Sequence, residues 1–160
     1  MNPTANIHNV DELANFQLSL SHFQEKAKDA LLNIDMDLRR TQDWLEQMYS
    51  SWQTEIRQAE EALQVAMLEL KRKKIMKIGD RTPDTSEEEK QVRKCKARLD
   101  HAEDKAERTK HWLRAFPEAM LDYEGPGRQM KTQVENNIPT MTAQLNAKIA
   151  SLEQNRQLGG

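Results

Sequence analysis

The residues of this chain that could do chemistry are few, and their spacing brings almost none of them together. The histidines are His8, His22, His101 and His111. None lies three residues after a glutamate, the Glu-x-x-His spacing that puts metal ligands on one helix face in di-iron bundles. Asp100, His101, Glu103 and Asp104 crowd one helical turn, where they read as a solvated face or as weak ligands for a cation. Cys95 is the only cysteine. A thiol nucleophile needs a base and a group to orient it, and no such His or Asp set accompanies Cys95. It falls on an apolar seam and reads as a small core residue. Every glycine falls in a turn-like segment or at the terminus, so no glycine-rich loop is available to cradle phosphate. The expectation is a protein with no catalytic residues, no metal site and no cofactor.

Two other groupings carry chemistry of recognition. Lys71, Arg72, Lys73, Lys74 and Lys77 form a basic run that could meet phosphates or lipid head groups. It also closes a helix, where cations offset the dipole, and faces Glu87, Glu88 and Glu89 across a turn, so local charge complementarity explains it as well. Trp44, Tyr49, Trp52, Trp112, Phe116 and Tyr123 form an aromatic zone, read either as a wide stretch of core or as a docking site, since Trp and Tyr anchor interfaces.

These residues must be positioned by helices. Between Pro3 and Gly79 there is no proline or glycine, and an apolar seam runs Leu13, Phe16, Leu20, Phe23, Ala27, Ala30, Ile34, Leu38, Thr41, Leu45, Met48, Trp52, Ile56, Ala59, Leu63, Ala66, Leu70. Steps of three and four are those of a helix burying one stripe. A first helix over about 10–78 follows, capped by Asn9 and roughly 100 Å long. Gly79-Asp80-Arg81-Thr82-Pro83-Asp84 is a turn. Ser86 then caps a second helix over about 87–123, kinked near Pro117. Gly125-Pro126-Gly127 reads as a second break, and a third helix over about 128–154 is bent near Pro139. This register opposes Trp52 to Trp112, Met48 to Phe116 and Ala59 to Ala106.

The fold class is therefore all-α: one domain over 1–160, an elongated antiparallel hairpin or three-helix coiled-coil bundle with a very long first helix. Turning back at Gly125 leaves residues 10–40 as a projecting arm. Leu13, Phe16, Leu20, Phe23, Leu31, Ile34 and Leu38 then lack cover, at about 1.5–3 kcal/mol for each large side chain. That stripe is the candidate interaction site. It points to a protein partner, a homodimer or higher homo-oligomer in the simplest form.

Charged residues make up 31% and the formal net charge is −2, with a sequence pI near 6.1 and mean hydropathy of −0.91. No global field favours nucleic acid or an anionic membrane, and no run approaches the ~20 apolar residues of a membrane span. The start, MNPTANIHNVDEL, has no signal-peptide pattern. With a lone cysteine, the location expected is the cytoplasm, with leaderless export as the other route.

From Val10 to Trp52 the heptad phase of Leu13, Phe16, Leu20, Phe23, Leu45 and Trp52 resembles small helical-hairpin proteins of the WXG type. That resemblance implies dimers exported without a signal peptide. Trp44-Leu45-Glu46 and Trp52-Gln53-Thr54 stand without the Trp-x-Gly turn. The Trp-bearing heptads are also similar to spectrin-type three-helix bundles. The functional expectation is a non-catalytic helical assembly protein that oligomerises or docks a partner through the first part of helix one. The alternative is a leaderless secreted, WXG-like effector or secretion-associated protein.

Overall fold

Helix α1, Val10–Ile75, runs without interruption, as a stretch free of proline and glycine allows. Asp11 and Glu12 lie in its first turn and Arg72, Lys73 and Lys74 in its last, each sign matched to the dipole it meets. The computed structural model describes residues 10–76, 81 and 83–158; the expected cap at Asn9 and most of the turn fall outside them. Helix α2, Ser86–Thr132, is followed by a π turn over Gln133–Asn137 and by helix α3, Ile138–Leu158. The all-α hairpin reading stands. The cap of α2 sits one residue earlier than expected: Thr85 O accepts the Glu89 N–H at 2.9 Å. The Asp84 carboxylate accepts both the Ser86 N–H at 3.0 Å and its hydroxyl at 2.6 Å.

The expected break at Gly125-Pro126-Gly127 is not there, because α2 passes through it, as it does through Pro117. Local propensity argues for a break: about 3 kcal/mol for an interior proline and about 1 kcal/mol for each glycine. Packing outweighs it. The chain beyond buries Val134, Ile138 and Ile149, each worth about 1.5–3 kcal/mol. Tyr123 covers the weak point, and a Cβ on Gly127 would lie 3.0 Å from its Cζ. Gly127 is therefore the glycine with a packing reason; a Cβ on Gly125 meets nothing.

The chain divides into two units, one of Met1–Leu38 with Met120–Gly160 and the other of Arg39–Ala119. In the first unit, the arm expected to project has a partner within its own chain. Leu13, Leu20, Leu31 and Leu38 are half-buried, and the Gln24 side-chain amide donates to Val134 O at 3.1 Å. The π turn explains that bond. Within it the Ile138 N–H reaches Gln133 O instead of Val134 O. The next donor in a π ladder would come from residue 139, which is proline and has none. Val134 O is left to be satisfied from α1, and Gln24 does it.

In the second unit the core is made of small residues: Ala59, Ala66, Cys95, Ala102 and Ala106, with Leu45. Ala59 to Ala66 and Cys95 to Ala102 are seven-residue steps, so one seam of each helix faces the other. Side chains this small let two helices approach closely. The expected register holds in part. Trp52 and Trp112 line one groove, as do Met48 and Phe116, but the ring that Trp52 packs edge-on is His101, centroids 6.1 Å apart.

Candidate interaction surface

At the end of the second unit next to the turn, the basic run meets the acidic start of α2 as expected. Lys73 Nζ lies 2.6 Å from Glu88 Oε1 and Lys74 Nζ 3.1 Å from Glu89 Oε1. Farther along, Arg98 Nε donates to Glu55 Oε1 at 2.6 Å. The hydrogen bond from Lys73 holds the Glu88 carboxyl below the usual range, and that from Lys74 does the same for Glu89. Arg98 lowers Glu55 and is itself raised. Ser86 lowers Asp84.

These carboxyls are depressed in the folded state, so the stability they add is complete above the ordinary carboxylate range. It is lost as the pH falls through their folded values. The thermal midpoint is expected to fall steadily below about pH 5. Lys73→Met should flatten that slope by freeing Glu88. An unchanged slope would show that the pair adds nothing.

The aromatic zone is split. Trp44, Met48 and Trp52 from α1 line one groove with Lys105, Trp112 and Phe116 from α2, a cavity of about 450 Å³ open to solvent. Trp44 and Trp112 are 56% and 59% exposed, so this stretch is not closed core. His111 stacks edge-on against Trp112 at 5.7 Å. Tyr49 is half-buried on α1 and does not line the groove. Tyr123 belongs to the other unit, beside Gly127.

The apolar stripe of the first unit is likewise divided. Its leucines turn inward, but Phe16, Phe23 and Ile34 remain 52%, 51% and 41% exposed. Spacings of seven and eleven residues, about two and three helical turns, put these three on one flank of α1, beside the half-buried seam.

Large apolar residues off the seam were not anticipated. Leu18, Leu32 and Met36 are exposed in the first unit, and Val65, Met67 and Leu68 in the second. Met67, Leu68 and Leu70 with Val92 line a further shallow groove bordered by Lys71 and Lys74. Their signal was available as bulky side chains outside the three-four rhythm.

No protein-family model matches the chain, and neither a curated protein nor a solved structure matches it. The surface itself is what remains to interpret. Among the described residues, no three of His, Cys, Asp and Glu are grouped so as to hold a metal ion. No described helix is long and apolar enough to cross a membrane.

Proposed function

We propose that this is a non-catalytic helical assembly protein whose exposed apolar flanks are covered by another helical chain, a second copy in the simplest case. The observation that carries the reading is the exposed flank of Phe16, Phe23 and Ile34. Residues 10–38 have a partner in their own chain, yet two-helix pairing covers only the leucine side of the stripe. Covering an aromatic or branched side chain that is half in water yields about 1 kcal/mol, and several together support association.

The test is the solution mass by light scattering at micromolar concentration, for the wild-type chain and for Phe16→Asp combined with Phe23→Asp. An oligomer that the double substitution dissociates is expected. A stable monomer that the substitutions leave unchanged would sink the idea.

A further inference from the structure

The groove of the second unit has sides of opposite charge, and this bears on what covers it. The α1 side carries Glu55, Glu61 and Glu69, the last two beside Val65 along its continuation. On the α2 side Lys105 and Arg108 line the groove. Arg98 reaches across it, and the i, i+4 spacing puts Lys94 on the same face as Arg98. One pair, Glu55 with Arg98, already bridges the groove. Trp44 and Trp112 stand exposed on opposite sides at its wide end.

A uniformly acidic or basic partner helix would meet attraction on one side and repulsion on the other. A second copy of this chain need not. Rotated about a dyad parallel to the helices, its α1 lies over this copy's α2 and its α2 over this copy's α1. Acid then faces base on both sides. The register seen in Glu55–Arg98 and Trp52–His101 puts Trp44 of each copy over Trp112 of the other, and Glu61 of each over Lys94 of the other. A dyad crossing the helices instead stacks α1 on α1, acid against acid.

We infer that this groove is a homodimer face on which two copies stack with their helices in the same direction, Trp44 on Trp112 and Glu61 on Lys94. The inference rests on the assembly reading above and names the surface and the symmetry. It concerns residues 39–119 alone.

The experiment is sedimentation equilibrium of the full-length chain up to about 100 μM, which populates any dimer with a micromolar Kd. Far-UV circular dichroism confirms the helix content of each variant. Trp44→Ala with Trp112→Ala should weaken the dimer by at least about 100-fold, as expected of two aromatic anchors at each site. Glu61→Lys and Lys94→Glu should each weaken it about tenfold, and together restore it to within about threefold of wild type. A charge-swapped double variant as weak as either single one overturns the proposed stacking. A dimer broken by Phe16→Asp with Phe23→Asp but indifferent to the tryptophan pair overturns this face and leaves the assembly reading standing. A wild-type chain monomeric throughout overturns both and leaves the groove to a different helical protein.

Discussion

Replacing Ala59 or Ala102 by leucine is expected to destabilise the fold by about 1–3 kcal/mol each. Ala59 is fully buried and Ala102 is 1% exposed. Both sit on the seam where α1 and α2 meet in the second unit. Leucine adds three carbons where no space exists, so either the helices separate or the side chain leaves its rotamer wells. Separation also uncovers Cys95 and Ala106 on the same seam. For a chain of this size each kcal/mol lowers the melting temperature by about 2–4 °C, and urea denaturation would read the cost directly. Ala97→Leu, at an exposed position on α2, is the control and should stay within about 0.5 kcal/mol. If Ala59→Leu behaves like the control, the close approach at Ala59 is wrong.

Val134→Asp should cost more, about 3–5 kcal/mol, because it leaves a charge buried without a partner. Val134 is wholly buried, and its carbonyl accepts the Gln24 amide from α1. Gln24→Leu tests the same place more gently. It removes the donor to Val134 O and leaves a carbonyl with no helical partner, at about 1–3 kcal/mol. Pro139→Ala supplies the missing N–H, so the cost of Gln24→Leu should shrink in that background. A double-mutant cycle by urea denaturation measures the coupling. Additive costs would mean that Pro139 is not what leaves the Val134 carbonyl to Gln24.

The sequence showed α1, the inward seam and the charge pairs beside the turn, because each rests on local spacing. Two features were not legible for definite reasons. At Gly125-Pro126-Gly127 the local signals favour a turn, and what overrides them is burial of Val134, Ile138 and Ile149, which no window around the glycines contains. The individual partners across α1 and α2 were the second: the charge pairs beside the turn are the expected ones, whereas Trp52 meets His101 and Glu55 meets Arg98. A slide of a near-whole number of turns presents the same faces, so phase identifies the inward residues without identifying their partners. The same limit applies to the aromatic zone. Trp44, Trp52, Trp112 and Phe116 converge on one groove, while Tyr49 and Tyr123 share only the neighbourhood. Seam phase also says nothing about depth: in a unit two helices thick, Phe16 and Phe23 can lie beside the seam and remain half in water.

The placement of the tryptophans has an optical consequence. All three indoles of the chain line a single groove, and Trp44 and Trp112 stand more than half in water. The ultraviolet emission of this protein therefore reports on a few turns of two helices and is blind to the packing around Val134. Loss of the first unit would leave its colour unchanged, whereas anything that covers the groove would shift it to the blue. The molecule carries its own dye at the surface where a partner is proposed to sit.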